Sequence, residues 1–187
     1  MKRVYLIRHG LPDFPTGVRM CIGTTDIPLG RAGLSQAKEM AAQLPPVTAV
    51  FSSPLRRAVQ TAEPIGLPIT VLNDLRELHA GAWDGLNFDE IKQKFPELYA
   101  AHGADPTLPL PGGENNEDGL ARFQNAMTLA AEQSPGDLAV VAHGGVIALF
   151  LQSLDGAWRK PDYTEVISLT YENGQFYLQE EASCEKC

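Results

Sequence analysis

Val4-Tyr5-Leu6-Ile7 is an apolar run that leads directly into Arg8-His9-Gly10. A continuous apolar run of strand-forming residues is expected for a strand that is covered on both faces. Two further runs share this character, Ala49–Phe51 and Leu138–Ala142. We therefore predict three buried strands.

Helical patterns alternate with these strands. Apolar residues recur at spacings of three and four, with Gly or Pro near several ends, in five segments: Gly33–Leu44, Pro54–Ile65, Phe88–His102, Asn116–Gln133 and Val146–Leu154. Because strands that alternate with helices are paired in parallel, we predict an α/β sandwich.

The end of the chain departs from this alternation. Glu165–Tyr171 and Gln175–Gln179 flank Asn173-Gly174, and Asn-Gly between two strand patterns is the strongest short-range hairpin signal. We expect the last strands to be antiparallel and to lie at an edge of the sheet. The 187 residues show no repeat or linker, which favours a single domain over 1–187.

Charge is distributed unevenly along the chain. The formal net charge is −8, and a domain this acidic lacks the basic footprint of a nucleic-acid-binding protein. Residues 1–60 nevertheless hold eight basic and three acidic side chains, a net charge of +5, which leaves −13 for residues 61–187. A cleft lined by the cations of the first third can still attract a small anion.

The sequence favours a cytoplasmic protein without membrane association. Only four apolar residues precede Arg8, too few for a signal peptide, and no run approaches the ~20 residues that span a bilayer. Of three cysteines, Cys21 stands alone, and Cys184 and Cys187 form a C-x-x-C without a second pair. We expect no functional role for the cysteines.

Two histidines follow strands in the same way. His9 follows the first apolar run, and His143 follows Leu138–Ala142 and precedes a helix. Ligands of α/β sheets bind beyond the carboxyl ends of parallel strands, so both imidazoles share one rim if the strands are neighbours. Gly10 and Gly144, beside them, allow the backbone to approach a ligand closely. The alternative is that each histidine merely caps its strand.

Arginine and glutamate add to this rim. Arg56 and Arg57 open a helix directly after a strand, where a guanidinium opposes the helix dipole unless a bound anion compensates for it. The alternative, a solvated basic side chain, is expected for one of the two. Glu77 lies in a stretch without clear periodicity, as site-forming loops do, and is the best candidate acid.

Other active-site patterns are absent from the sequence. There is no G-x-S-x-G, Walker or G-x-G-x-x-G pattern, which argues against a serine hydrolase, a P-loop NTPase and a dinucleotide enzyme. Neither His9 nor His143 has the closely spaced His or carboxylate neighbour of a metal hydrolase. We therefore predict no metal and no cofactor. The long segments Gly10–Gly30 and Gly103–Asn115 are typical of functional loops.

Together these residues resemble the histidine phosphatase superfamily, the phosphoglycerate-mutase-like clan. Six blocks occur in the family's order over nearly the whole chain: Leu6–Gly10, Gly23–Ala37 (G-x-x-D-x-P-L-x-x-x-G-x-x-Q-A), Ser53–Ala62 (S-x-L-x-R-A-x-x-T-A), Glu77–Gly85 (E-x-x-x-G-x-W-x-G), Pro111–Glu114 and Ala142–Gly144. The resemblance implies a three-layer α/β sandwich: a mostly parallel sheet with an antiparallel edge and helices on both faces.

The resemblance also implies a role for each matching residue. His9 is the nucleophile that forms a phosphohistidine, and Glu77 exchanges protons with the leaving alcohol and the attacking water. Three side chains hold the phosphoryl oxygens: Arg8, Arg57 and His143. Phosphoryl transfer needs mainly positioning and charge stabilisation, which two arginines and an imidazole supply without a metal.

One position departs from the family pattern. The family often continues R-H-G-E-T-x-x-N, whose Asn contacts the phosphate, but Pro15 stands at that position. We expect Arg19, or the hydroxyl or amide of Thr24, to supply the donor instead. Trp83 is a further candidate for the substrate pocket, with packing in the interior as the alternative.

We therefore predict a metal-independent phosphatase of a small phosphorylated metabolite. The short chain resembles the phosphatase branch that includes alpha-ribazole-5'-phosphate phosphatases. Phosphoglycerate mutase is the alternative enzyme. A non-catalytic phospho-ligand-binding module would be marked by loss of site residues, and all five are present. The oligomeric state is left open, a homodimer included.

Overall fold

A six-stranded sheet forms the centre of the protein, which the computed structural model describes over residues 1–179. The strands in chain order are β1 (Lys2–Arg8), β2 (Ala49–Ser52), β3 (Ile69–Val71), β4 (Leu138–Ala142), β5 (Val166–Glu172) and β6 (Gln175–Leu178). Their spatial order is β3-β2-β4-β1-β5-β6. The pairs among β1 to β4 are parallel, and the pairs that involve β5 or β6 are antiparallel. The predicted parallel sheet with an antiparallel edge is confirmed.

Helices surround this sheet. Within the described part of the chain they are α1 (Arg31–Gln43), α2 (Arg56–Ala62), α3 (Phe88–Lys94), α4 (Pro96–Ala104), α5 (Asn116–Gln133) and α6 (Gly144–Asp155). Short 3-10 turns lie at Pro15–Gly17, Glu63–Ile65, Asn73–Leu75 and Gly81–Trp83. In residues 1–179 we find no helix that is both long enough and apolar enough to cross a membrane.

Two apolar cores lie on opposite faces of the sheet. Side chains alternate between the faces of a strand, so Leu138 and Val140 of β4 join the core formed with α5 and α6. Their neighbours Ala139 and Val141 join the core formed with α1 and α2. Because both faces are covered, β4 is buried along its whole length, and the predicted three-layer arrangement is confirmed.

Two elements differ from the sequence prediction. The single helix predicted over Phe88–His102 is interrupted at Phe95, and Pro96 starts α4. Proline lacks the amide hydrogen of a helix interior and disfavours helical geometry in the preceding residue, whereas it is well tolerated at a first helical position. The edge strand β3 was not predicted, because three mostly exposed residues after a proline carry too little pattern.

The predicted hairpin is present at the end of the described chain. Asn173 and Gly174 connect β5 to β6 with φ values of 52° and 81°. Positive φ at both central positions is the requirement of a type I′ turn, which Asn-Gly meets with little strain. Cys184 and Cys187 lie outside the described residues.

The pairing of β1 with β4 positions the site. Arg8 is in register with Ala142, so the residues that follow these two strands, His9 and His143, start from adjacent points on one rim. On the other side of β4, Ser52 is in register with Val141.

Candidate active site

The two histidine rings meet at this rim. Their centroids are 5.0 Å apart, and the His9 amide donates to the Ala142 carbonyl at 3.0 Å, which continues the β1–β4 ladder by one bond. His9 is 4 % exposed and His143 is fully buried. The rim therefore holds two imidazoles in a nearly dry environment.

Hydrogen bonding fixes the tautomer of His9. Its Nδ1 lies 2.8 Å from the Gly10 carbonyl, and a carbonyl only accepts, so Nδ1 carries the proton. Burial, followed by the charge of Arg57, lowers the pKa of His9 well below its ordinary value of 6.5. The ring is therefore neutral, with a lone pair on Nε2, which is the state that a nucleophilic imidazole requires.

His143 has the opposite tautomer. Arg57 Nε donates to His143 Nδ1 at 3.2 Å, so the neutral ring carries its proton on Nε2, which donates to Ser53 Oγ at 2.7 Å. Burial, followed by Arg57, lowers the pKa of His143 well below 6.5. His143 is thus a neutral donor beside the neutral ring of His9.

Arg57 is completely buried, whereas Arg56 is exposed. The guanidinium of Arg57 donates to the carbonyls of Thr25 at 2.8 Å and Gly23 at 2.9 Å as well as to His143. A guanidinium has five N–H donors, so two remain. Burial lowers the pKa of Arg57, with Glu77 as the largest opposing influence.

The Glu77 side chain contacts the start of α6, the helix that begins directly after His143. Its carboxylate accepts from the amides of Gly145 at 2.9 Å and Val146 at 2.8 Å. These amides have no partner within the helix and carry the positive end of its dipole. The start of α6 therefore binds the carboxylate of Glu77.

A cavity of about 290 Å³ opens over this rim. Arg8, His9, Glu77 and Gly145 form its inner end. Much of the rest comes from the two long loops predicted to be functional: Phe14, Arg19, Met20, Cys21, Ile22, Gly23, Pro106, Leu108 and Leu110. Arg57 and His143 are fully buried and do not line the cavity.

The other predicted binding residues have different positions. Arg19 lines the cavity, and its guanidinium lies 5.6 Å from the Phe88 ring centroid. The Thr24 hydroxyl donates to Asp84 at 2.7 Å. Trp83 is 3 % exposed and packs against Tyr99 and His102. Neither Thr24 nor Trp83 lines the cavity, so their roles in binding stay predictions.

The two glycines next to the histidines occupy tight positions. A Cβ on Gly10 would lie 2.8 Å from the Gly33 carbonyl oxygen, and one on Gly144 would lie 3.0 Å from Arg8 Nε. Side chains at these two positions would therefore collide with their surroundings. Gly10 is further held by its amide, which donates to Thr61 Oγ1 at 2.9 Å.

Sequence reasoning missed the loop between α6 and β5. Trp158, Lys160 and Tyr163 of this loop line the cavity, and Arg8 lies 3.9 Å from the Tyr163 ring centroid. An available signal was the topology: β5 is antiparallel to β1, with Val166 opposite Ile7, so the residues before β5 reach the same rim as His9.

Within residues 1–179, no three His, Cys, Asp or Glu side chains are grouped closely enough to hold a metal ion.

Cys21 lines the cavity, and burial raises its pKa to about 11. Its thiol is therefore protonated near neutral pH, and thiolate is the reactive form.

Comparison with known proteins gives a consistent result. The model of the histidine phosphatase superfamily, branch 1, matches residues 4–182. Glucosyl-3-phosphoglycerate phosphatase of Mycobacterium tuberculosis is 36 % identical over 169 residues, which cover 82 % of this chain and 75 % of that protein. Metal-independent phosphoserine phosphatase of Arabidopsis thaliana is 35 % identical over 162 residues, 80 % of this chain and 67 % of that protein.

Solved structures share the fold. A mycobacterial glucosyl-3-phosphoglycerate phosphatase in complex with VO3 superposes with a TM-score of 0.82 at 29 % identity, covering 96 % of this chain and 98 % of that chain. An alpha-ribazole phosphatase from Shigella flexneri superposes with a TM-score of 0.79 at 25 % identity, covering 95 % and 94 %.

Proposed function

The chain belongs to the histidine phosphatase superfamily and is a phosphoric monoester hydrolase, and from that premise we propose that it hydrolyses a small-metabolite phosphomonoester through a phosphohistidine on His9. One observation carries the proposal: the proton on His9 Nδ1 is committed to Gly10, while Nε2 has no hydrogen-bond partner in residues 1–179 and the ring lines the cavity. A neutral imidazole with a free lone pair is a competent nucleophile.

In the first step, His9 Nε2 attacks phosphorus in line with the ester oxygen. The new N–P bond replaces the P–O bond to the alcohol, and the departing oxygen takes a proton from Glu77. The imidazole becomes cationic as the bond forms, and the Gly10 carbonyl stabilises that charge through Nδ1–H. This step therefore requires that Glu77 holds a proton when the substrate is bound.

In the second step, water attacks the phosphohistidine. Glu77, now a carboxylate, accepts a proton from the water, the N–P bond breaks, and its electron pair returns to Nε2. Orthophosphate leaves, and His9 is again neutral. Both half-reactions use the same two side chains, and the proton that Glu77 lends in the first step returns in the second.

Charge stabilisation comes from the groups around His9. Arg8 lines the cavity, and Arg57 retains two N–H donors after its three hydrogen bonds. We propose that Arg8, Arg57 and His143 bind the phosphoryl oxygens, as the six matching sequence blocks imply. His143 would then exchange its bond to Ser53 for one to the ligand, since its Nε2–H is the donor.

The cavity favours a compact organic leaving group. Its volume of about 290 Å³ lies at the lower end of ligand pockets, and its outer wall includes apolar and aromatic side chains: Phe14, Ile22, Phe88, Leu108, Leu110 and Trp158. Glucosyl-3-phosphoglycerate, phosphoserine and alpha-ribazole 5'-phosphate belong in the first substrate panel because relatives are named for them. The resemblance of the sequence blocks to alpha-ribazole-5'-phosphate phosphatases places that substrate among our leading candidates.

Acid-quench labelling tests the phosphohistidine. After mixing with a phosphate-labelled substrate from this panel, wild-type protein should carry acid-labile, base-stable label, and His9→Ala should carry none. Turnover with label that survives acid would contradict an intermediate on histidine. Absence of both label and turnover across the panel would favour a phospho-ligand-binding module.

A second assay separates phosphatase from mutase activity. With 3-phosphoglycerate as substrate, we expect release of inorganic phosphate to exceed formation of 2-phosphoglycerate, because the cavity is open to the water that hydrolyses the intermediate. Predominant isomerisation would overturn the proposal in favour of phosphoglycerate mutase.

A further inference from the structure

Arg8 has an unused donor at the inner end of the cavity. Its Nη1 donates to the Pro161 carbonyl at 2.7 Å, but its Nε is buried and has no hydrogen-bond partner in the described part of the chain. The residue is only 8 % exposed. A buried donor without a partner is costly, so the position of Arg8 Nε points to a ligand that supplies the missing acceptor.

Lys160 reaches the same place from the α6–β5 loop. A Cβ built on Gly144 would lie 2.7 Å from Lys160 Cε and 3.0 Å from Arg8 Nε. The ends of two cationic side chains therefore converge beside a residue that has no side chain. Like charges repel at such a separation, and an anion bound between them would remove the repulsion.

The charges around Lys160 identify the part of the cavity that it serves. The residue as a whole is exposed, yet its ammonium group lies deep enough that burial lowers its pKa, with Glu77 as the largest opposing influence. Lys160 in turn contributes to the lowered pKa of His9. Its charge thus acts on the proposed nucleophile and on the proposed acid, as it does on Cys21 and His102 of the cavity wall.

No protein group in residues 1–179 forms a hydrogen bond or ion pair with the Lys160 ammonium, in contrast to the neighbouring cation of the same loop. Arg159 is paired with Glu165 on the surface. Thr24, which we expected to supply a phosphate donor, uses its hydroxyl and its amide to bind Asp84. Arg19 and Lys160 both line the cavity, and of these two Lys160 is the one that lies beside Arg8 Nε and Gly144.

We propose that Lys160 is a ligand of the transferred phosphoryl group, which it binds together with Arg8 Nε on the side of the cavity next to Gly144. The inference rests on the proposed function for the identity of the anion. An ammonium group at this position would stabilise the charge on the phosphoryl oxygens in both half-reactions, by charge-assisted hydrogen bonds.

The test compares Lys160→Met and Lys160→Arg with the matched control Arg159→Met. Binding of inorganic phosphate is measured by calorimetry, and kcat/KM is measured with p-nitrophenyl phosphate and with phosphoserine. Loss of a hydrogen bond to a charged group corresponds to about a 10- to 100-fold effect. We expect Lys160→Met to lose that factor in phosphate affinity and in kcat/KM for both substrates, Lys160→Arg to recover most of it, and Arg159→Met to match wild type.

The two substrates separate a phosphoryl ligand from a ligand of a remote anion. p-Nitrophenyl phosphate has no charge outside its phosphoryl group, whereas phosphoserine carries a carboxylate. A loss confined to phosphoserine, or unchanged phosphate affinity in Lys160→Met, would overturn the inference. Thermal unfolding of each variant identifies loss of fold, and Lys160→Gln replaces Lys160→Met if the latter is unstable.

The calorimetry also separates this inference from the proposed function. If wild type binds phosphate and Lys160→Met binds it more weakly, but no phosphomonoester is turned over, the anion site stands and the proposed function fails. If wild type turns over substrates and Lys160→Met does so equally well, the proposed function stands and the role of Lys160 is refuted.

Discussion

Two regions of the candidate site are built by different parts of the chain. The inner cluster, His9, Arg57 and His143, follows β1 and β4 or begins α2, and each member is at most 4 % exposed. The outer wall, which includes Arg19, Phe88, Leu108 and Trp158, comes from loops and from the start of α3 and is partly exposed. The groups proposed for chemistry are therefore held by the strand ends and the adjoining helix, while the groups proposed to face the leaving group are held mainly by loops.

The inner cluster is rigid because each side chain has several partners. Arg57 makes three hydrogen bonds, two of them to backbone carbonyls. The His143 ring is held between Arg57 and Ser53. Arg19 of the outer wall, by contrast, makes no hydrogen bond or ion pair within residues 1–179, and its guanidinium lies near the Phe88 ring.

The largest expected difference between the regions is in how far kcat falls when a histidine is replaced. We expect His9→Gln to lower kcat by at least about 10³-fold, because the nucleophile itself is removed. His102→Gln removes a histidine of the outer wall and should cost less than about 10-fold, since it removes contacts but no reacting group. Steady-state kinetics with p-nitrophenyl phosphate measure both, and similar losses would erase the distinction between the regions.

Glu77 gives the next largest effect, and it depends on the leaving group. Glu77→Gln keeps the shape of the side chain but cannot exchange a proton, so kcat for an alkyl phosphate should fall about 10²- to 10⁴-fold. p-Nitrophenolate leaves without protonation, so its initial burst should persist while hydrolysis of the phosphohistidine slows. Pre-steady-state kinetics show the burst, and a burst lost in equal measure with both substrates would contradict the role of Glu77 as acid.

The same contrast explains what could be predicted from the sequence. Each residue of the inner cluster follows a strand or opens a helix. Because the carboxyl ends of neighbouring parallel strands lie at the same rim of a sheet, the strand patterns place His9, His143 and Arg57 together. The family motifs separate Arg57 from Arg56, which spacing alone leaves as equivalent. The Phe95-Pro96 pair is a sequence signal for the break between α3 and α4. The apolar periodicity over Phe88–His102 nevertheless favours one continuous helix.

The loop side chains around the cavity were not predictable in the same way. Lys160 and Tyr163 lie in a loop without periodicity, and their approach to Arg8 depends on β5 being antiparallel to β1. Thr24 was assigned by proximity in the chain, but Asp84 binds both its amide and its hydroxyl. Which donor a loop side chain finds is decided by tertiary contacts, which a local pattern does not contain.

A stability effect is expected where the inner cluster is tied to α2. Thr61 accepts from the Gly10 amide at 2.9 Å and donates to the Arg57 carbonyl at 2.7 Å. Thr61→Val leaves a buried amide without an acceptor, which should lower the free energy of unfolding by about 1–3 kcal/mol. Urea unfolding measures the change. Thr70→Val, at an exposed position of β3, is the matched control and should change stability by less than about 0.5 kcal/mol.

The smallest expected effect is the pH dependence of stability, and its sign follows from the buried imidazole. The pKa of His143 is lowered in the folded protein by burial and Arg57, while the unfolded chain keeps the ordinary value of 6.5. Below that value the unfolded state binds more protons than the folded state, so stability falls as the pH falls. Above pH 6.5, His143 is neutral in both the folded and the unfolded state, so it does not contribute to the change of stability with pH.

His143→Gln should therefore flatten the acid side of the stability curve. Comparing urea unfolding at about pH 7.5 and about pH 5.5, the variant should lose less stability than wild type by about 1.4 kcal/mol, the contribution of one fully suppressed titration over one pH unit. His102 also has a lowered pKa, from burial and then Lys160, but it is partly exposed, so His102→Gln should flatten the curve less. Equal slopes for wild type and His143→Gln would show that the folded protein protonates this ring, and a protonated ring could not accept the hydrogen bond from Arg57 that holds the inner cluster together.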